Sequence, residues 1–131
     1  MSVEVILGEN LKVDVNYRGT IIKTDQPTMA GGDGSAPSPM DLFFASIAAC
    51  AGYYAKAFCL GRGISYEGIK ITMDMSRSLE TRLVDNVVIN VELPSGFPEK
   101  YTPALIKSVE SCAVKKHINA GMNFQVNSSN L

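Results

Sequence analysis

Alternation of apolar and polar residues dominates the first part of the chain. In the segment LKVDVNY, Leu11, Val13 and Val15 fall on one face, a pattern typical of a half-buried strand. The alternation and the turn residues between the segments predict strands at 3–7, 11–17, 20–24, 69–76 and 87–93. The last two strands are predicted to form a hairpin through residues 77–85.

Between these two groups of strands, apolar residues recur at helical spacing. Ser38 is a favourable N-cap, Pro39 suits the first helical position, and Asp41 can complete a capping box. The sequence therefore predicts a long helix that begins at Pro39 and ends near Gly61 or Gly63.

A second helix is predicted after the hairpin. Thr102 is its expected N-cap, Pro103 its first residue, and Gly121 its end. The segment NFQVN, residues 123–127, predicts a short final strand. Because strands come in adjacent runs, the pattern indicates an α+β fold with antiparallel sheet in the order βββ-α-ββ-α-β.

Composition and charge narrow the class of protein. The chain has 131 residues, 46% hydrophobic and 19% charged, which predicts a single globular domain over residues 1–131. A formal net charge of -1 without a basic stripe argues against nucleic-acid binding. Asp41 and Lys56 interrupt the longest apolar stretch, which argues against a membrane span. Three cysteines and no signal-peptide pattern predict a cytoplasmic protein.

The three cysteines are the candidate chemistry. Cys50 and Cys59 fall on opposite sides of one predicted helix, about 13 Å apart along its axis, so any pair within the chain must include Cys112. Cys50 and Cys112 each lie on the apolar stripe of a helix and can meet if those stripes pack together. The alternatives are three inert buried cysteines, a Cys50–Cys112 redox pair, or a metal site that adds His117. The sequence pattern alone favours three inert buried cysteines.

A reactive Cys50 needs a lowered pKa. It lies about three turns into its own helix, where the N-terminal dipole no longer acts. A cation from elsewhere is therefore expected, with Arg18 the first candidate and Arg77 and Arg82 weaker ones. The glycine-rich loop at 25–39 lacks the Gly-Lys-Ser/Thr of a phosphate-binding loop, and we expect no cofactor and no metal.

The segments GGDGSAPSPMDLFFASIAAC and SVESCAVKKHI together resemble the OsmC/Ohr family of thiol-dependent peroxidases, in its less characterised OsmC-like branch. The shared features are a glycine-rich loop, a Ser-Pro helix start, a cysteine later on that helix, and a Cys-x-Val on the second helix. The likeness covers nearly the whole chain. It implies an OsmC-like fold and an intertwined homodimer whose sheets wrap around central helices.

The resemblance also implies a mechanism. Cys50 would be the thiolate that attacks an organic hydroperoxide or hydrogen peroxide, and Cys112 would resolve the resulting sulfenic acid as a disulfide. An external thiol or dithiol would then restore both thiols. In the family an N-terminal arginine pairs with the thiolate and an acid at the helix start orients it. Arg18 and Asp41 are the candidates here, with the acid one residue later than in the family, where this chain has Met40.

Two other functions are open at this point. One is a non-catalytic OsmC-like dimer that binds a small apolar or sulfur-containing ligand, which Met40 and the apolar pair Phe43-Phe44 favour. The other is a redox sensor, in which oxidation changes the binding of a partner without appreciable turnover.

Overall fold

The structure is a computed structural model that describes residues 2–130. The chain divides into two compact units, one up to Ala45 and the other from Ser46 onwards. The boundary falls within the longest helix, so the residues that open this helix belong to the first unit.

The first unit contains an antiparallel sheet with the strand order β1-β2-β3. Its strands are β1 (Glu4–Leu7), β2 (Val13–Tyr17) and β3 (Thr20–Thr24). Val15 of β2 lies opposite Val5 on one side and Ile22 on the other, giving an apolar row across the sheet. Arg18 and Gly19 form the β2–β3 turn with φ of 52° and 82°, which a two-residue hairpin turn of this kind requires. All three predicted strands are present, β1 and β2 starting slightly later than expected.

A buried carboxylate organises the loop after β3. Asp25 is 1% exposed. It accepts hydrogen bonds from the Gln26 amide at 2.7 Å, the Ser35 amide at 3.0 Å and the Ser35 hydroxyl at 2.6 Å. The Asp25 amide donates to the carbonyl of Pro37 at 3.2 Å. A Cβ atom at Gly32 would lie 2.0 Å from the Gln26 carbonyl oxygen, so the folded loop requires glycine there. These contacts hold the two ends of the loop together just before the long helix.

Helix α1 spans Pro39–Arg62. The Ser38 amide donates to the Asp41 carboxylate at 3.0 Å, and the Asp41 amide donates to the Ser38 hydroxyl at 3.1 Å. The predicted capping box is therefore confirmed. The helix ends before Gly63, whose φ of 63° allows the left-handed turn common at helix ends.

By length and composition alone, α1 could also cross a membrane. It has 24 residues and a mean hydropathy of 1.4 in its most apolar window. A core helix of a soluble protein passes the same test, so one such helix is weak evidence for a membrane span. Five residues of α1 are buried in the second unit: Ile47, Ala51, Ala55, Phe58 and Cys59.

The second unit packs the later part of α1 with a hairpin and two short helices. These elements are β4 (Lys70–Arg77), β5 (Val84–Glu92), α2 (Thr102–Glu110) and α3 (Ala113–Ala120). The hairpin is antiparallel and sets Met73 opposite Ile89. The buried core joins α1 to α2 through Ala51, Ala55, Phe58, Cys59, Leu105 and Val109. This core fixes the face of α1 that carries Cys59 and Ala55 against α2.

The α+β class and the element order through the second helical region are confirmed, but two details were wrong. The predicted second helix is divided at Ser111 and Cys112 into α2 and α3, and Thr102 is the first residue of α2, not its cap. Residues 123–127 form no strand within the described part of the chain. Strand geometry needs a hydrogen-bonded neighbour, and the described chain places none beside this segment.

Candidate active site

Cys50 and Cys112 meet in the second unit. Cys50 is half-buried on α1, and Cys112 is fully buried at the residue that precedes α3. The Cys112 thiol donates a hydrogen bond to the Cys50 sulfur. The expectation that two helices bring these sulfurs together therefore matches the geometry, although Cys112 reaches Cys50 from a helix junction and not from the middle of a helical stripe.

The junction at Cys112 turns the start of α3 toward Cys50. Cys112 has φ of -51° and ψ of 125°, which is not helical, and its side chain makes no cap for α3. The amide groups of Ala113 and Val114 consequently remain available, and both donate hydrogen bonds to the Cys50 sulfur. The N-terminal amides of a helix have no partners within the helix and carry partial positive charge, so they favour a thiolate.

The pKa of Cys50 is lowered from its ordinary value of 9.0. Desolvation by burial is the largest single influence and acts in the opposite direction. Hydrogen bonds from Cys112, Val114 and Ala113, together with the positive charge of Lys115, more than offset it. Each of these groups stabilises the charged form of Cys50 more than the neutral one. The site therefore favours a nucleophilic sulfur at this position.

The pKa of Cys112 is shifted in the opposite direction, upward. Burial raises the pKa of its thiol, and donation to the Cys50 sulfur raises it further, while the amides of Lys115 and Val114 work against both. The proton of the pair therefore resides on Cys112 when Cys50 is charged. The two sulfurs have distinct roles available to them, one as a nucleophile and the other as a proton-bearing partner.

Cys59 is separate from this pair and belongs to the core. It is fully buried, and burial raises the pKa of its thiol. Within residues 2–130 no three His, Cys, Asp or Glu side chains lie close enough together to hold a metal ion. His117 instead contacts the carbonyl of Ala113 through Nδ1 at 2.7 Å, within α3.

The other two predicted site residues, Arg18 and Asp41, lie in the first unit. Arg18 sits on the β2–β3 turn, with its guanidinium carbon 5.2 Å from the centre of the Tyr17 ring. Asp41 is held in the capping box, and its hydrogen bonds with the amide and hydroxyl of Ser38 lower the pKa of its carboxyl. The capping role of Asp41 is thus observed, and a role for Arg18 and Asp41 in catalysis stays a prediction.

Sequence reasoning missed the groups that act on Cys50 within the second unit: the amides of Ala113 and Val114, and Lys115. Every residue except proline has a backbone amide, so the sequence does not single out those of Ala113 and Val114. The apolar spacing from Val109 to Cys112 also continues the helical pattern across the junction. The one available signal was Lys115, which lies three residues after Cys112 and is part of the only basic doublet in the chain.

The fold has clear counterparts among solved structures. An osmotic stress induced and detoxification response protein from Psychrobacter arcticus matches with a TM-score of 0.72 and 22% identity, over 88% of this chain and 86% of that chain. An OsmC like protein from Mycoplasma pneumoniae matches with a TM-score of 0.69 and 16% identity, over 90% and 86% respectively. An organic hydroperoxide resistance protein OsmC from Legionella pneumophila matches with a TM-score of 0.53 and 23% identity, over 88% of this chain and 85% of that chain. At sequence identities of 16%, 22% and 23%, the structural likeness establishes the fold of this chain.

The sequence itself carries the family assignment. No curated protein matches the chain. The sequence profile of the family described as OsmC-like protein matches residues 32–127, a segment that includes the glycine-rich loop and both paired cysteines. The chain therefore belongs to the OsmC-like protein family.

Proposed function

We propose that the protein is a thiol-dependent peroxidase that reduces organic hydroperoxides, and also hydrogen peroxide. The observation that carries this proposal is the hydrogen bond from Cys112 to the Cys50 sulfur at the N-terminus of α3. Peroxide reduction by a cysteine pair needs a sulfur with a lowered pKa and a second thiol close enough to attack it after oxidation. Family membership, and the description of the Legionella structure as an organic hydroperoxide resistance protein, support this choice of substrate.

The proposed reaction begins with the Cys50 thiolate. Its sulfur attacks the terminal oxygen of the hydroperoxide, an S–O bond forms, the O–O bond breaks, and the departing alkoxide takes a proton to become an alcohol. Cys50 is thereby oxidised to a sulfenic acid. The Cys112 sulfur attacks this sulfenic sulfur, the disulfide forms, and water leaves. An external dithiol reduces the disulfide by exchange and is itself oxidised to a disulfide.

Three groups of the second unit stabilise the Cys50 thiolate before the attack: the amides of Ala113 and Val114, and Lys115. Arg18, oriented by Asp41, is proposed as a further cation on the basis of the family resemblance. Lys115 and Arg18 lie in different units of the chain. The contribution of each charge to the Cys50 thiolate can therefore be tested by mutating one residue at a time.

A homodimer is part of the proposal. Every residue of β1 is exposed, including Leu7 at 81%, and β1 pairs with β2 alone among the described strands. Phe124 and Val126 are 85% and 96% exposed near the C-terminus. An apolar edge strand and alternating exposed apolar residues are typical of surfaces that another chain covers. A second copy of this chain is the proposed partner, in agreement with the family resemblance.

The test follows loss of cumene hydroperoxide in the presence of dithiothreitol. The wild-type protein should consume many equivalents, Cys50→Ser should consume none above background, and Cys112→Ser should be oxidised once and then turn over slowly. Cys59→Ala is the matched control, since Cys59 lies apart from the pair, and it should retain turnover. Peroxide consumption by Cys50→Ser at the wild-type rate would refute the mechanism.

A second candidate function is non-catalytic binding of a small apolar or sulfur-containing molecule. A cavity of about 460 Å³ in the second unit favours it. A molecule that co-purifies with the protein, together with no dithiol-dependent loss of peroxide, would support this alternative. Formation of a Cys50–Cys112 disulfide by one equivalent of peroxide would count against it.

A further inference from the structure

Helix α3 is weakly packed against the rest of the second unit. None of the residues of Ala113–Ala120 is buried, and only Val114 and Lys115 are half-buried. Lys115, Ile118 and Asn119 border a cavity of about 460 Å³ and do not fill it. Apolar burial and close packing therefore contribute little to holding this helix in place.

The first turn of α3 is held by its contact with Cys50. The non-helical backbone at Cys112 directs this turn toward α1. The amides of Ala113 and Val114 donate hydrogen bonds to the Cys50 sulfur. Lys115 adds an attraction between its positive charge and the thiolate. Hydrogen bonds to a charged acceptor are roughly twice as strong as those to a neutral one, so this hold depends on the negative charge of Cys50.

Formation of a Cys50–Cys112 disulfide would remove these attractions together. The Cys50 thiolate and the Cys112 thiol lose two electrons and one proton as the S–S bond forms. The hydroperoxide accepts the electrons and the proton, its O–O bond breaks, and it leaves as an alcohol and hydroxide, which a proton from the solvent converts to water. The bonded Cys50 sulfur is neutral, so the two amides lose their charged acceptor and Lys115 loses its counter-charge.

We propose that Cys50 is a redox-controlled latch for α3: its thiolate holds the first turn of the helix, and the disulfide releases residues 113–120. Cys112 itself stays tethered by the covalent bond. The release matters because Cys112 is 0% exposed, and thiol–disulfide exchange requires the attacking thiolate to reach a sulfur. Opening of α3 admits the external dithiol to the disulfide. This access role rests on the proposed peroxidase function, whereas the latch needs only the two redox states of the pair.

Amide hydrogen exchange in the full-length protein tests the latch. The disulfide is made with one equivalent of cumene hydroperoxide and, separately, with diamide, which oxidises two thiols without a peroxide and is itself reduced to a hydrazine. Peptides from α3 should exchange about tenfold faster in the disulfide form, as expected for lost hydrogen bonds to a charged group. Peptides from α2 should exchange equally in both forms, because Leu105 and Val109 keep that helix in the core. Equal or slower exchange of α3 in the disulfide form would overturn the inference.

The two oxidants separate the latch from the peroxidase proposal. A disulfide formed by the hydroperoxide with unchanged exchange of α3 would refute the latch and leave the peroxidase proposal standing. If only diamide forms the disulfide and α3 is then released, the latch stands, and the peroxidase proposal fails together with the access role. If neither oxidant forms the disulfide, both proposals fail.

Cys50→Ser tests the latch without oxidation. A serine hydroxyl is neutral at pH 7, so α3 should exchange faster than in the reduced wild type, whereas Cys59→Ala, the control, should keep the wild-type exchange of α3. Within the Cys50→Ser protein, Cys112 and Cys59 are matched, because each is 0% exposed in the wild-type fold. Iodoacetamide should label Cys112 about tenfold faster than Cys59, since local opening of α3 uncovers only Cys112. Equal labelling rates would overturn the access role.

Discussion

The Cys112 thiol donates a hydrogen bond to the Cys50 sulfur, and the sulfur accepts further hydrogen bonds from the first amides of α3. Hydrogen bonds to the charged form of a group lower its pKa. The division of the second helical region at Cys112 is therefore what makes Cys50 a candidate nucleophile, since an unbroken helix would engage those amides in its own backbone ladder.

The donor role of residue 112 can be tested with Cys50 as the sole thiol. In a Cys59→Ala background, Cys112→Ser keeps an O–H donor and Cys112→Ala removes it. The pKa of Cys50 should be higher in the alanine variant, and its alkylation by iodoacetamide at pH 7 severalfold slower. Thiolate absorbance at 240 nm across a pH series measures the pKa directly. The same pKa in both variants would mean that residue 112 does not stabilise the thiolate.

Lys115 should set the reactivity of Cys50 through its charge. Lys115→Gln should raise the pKa of Cys50 and slow its oxidation by peroxide, whereas Lys115→Arg should restore most of the wild-type behaviour. Lys116→Gln is the matched control, because its side chain projects about 100° further around α3. A control variant that slows oxidation as much as Lys115→Gln would indicate a general effect of net charge.

Local patterns and the candidate pair Cys50 and Cys112 were predictable, whereas the groups that act on the Cys50 sulfur were not. The Ser38–Asp41 capping box follows from side chains a few residues apart, so the sequence predicts it directly. No glycine or proline marks the break at Cys112, and the helical spacing of apolar residues continues through it. Asp25 lies in a loop of Gly, Pro and Ser that gives no sign of burial, because its hydrogen bonds to Ser35 form only when the loop closes.

The exposed C-terminal segment should mediate association. Phe124 and Val126 alternate with polar residues, so that both fall on one face if the segment becomes a strand in a dimer. Phe124→Asp with Val126→Asp should shift the protein from dimer to monomer in sedimentation velocity. Asn123→Asp with Gln125→Glu changes the charge equally on the opposite face and should preserve the dimer. A monomeric wild-type protein would contradict the proposed homodimer.

The core between α1 and α2 should depend strongly on Leu105. This side chain is fully buried among α1 residues. Leu105→Ala should lower the free energy of unfolding by about 2–5 kcal/mol, because it loses apolar burial and leaves a cavity. Leu79→Ala removes the same atoms at a position 95% exposed and should have almost no effect. Urea unfolding followed by circular dichroism measures both, and similar losses would contradict the assigned core.

Acid should destabilise the protein through Asp25. Hydrogen bonds from the hydroxyl and amide of Ser35 and the amide of Gln26 lower the pKa of Asp25 from 3.8 to about 2, against an opposing effect of burial. The folded state therefore binds this proton less readily than the unfolded chain, and the associated stability is complete above pH 3.8 and lost as pH falls toward about 2.

Removing the Ser35 hydroxyl should weaken that acid dependence. The hydroxyl is the largest cause of the lowered pKa, so Ser35→Ala should bring the Asp25 pKa back toward its ordinary value. Its melting temperature should be lower than that of the wild type at pH 7, with the difference narrowing at pH 3. Ser128→Ala, at an exposed position near the C-terminus, should follow the wild-type curve throughout. A difference between Ser35→Ala and wild type that stays constant from pH 7 to pH 3 would show that Asp25 is not the group responsible.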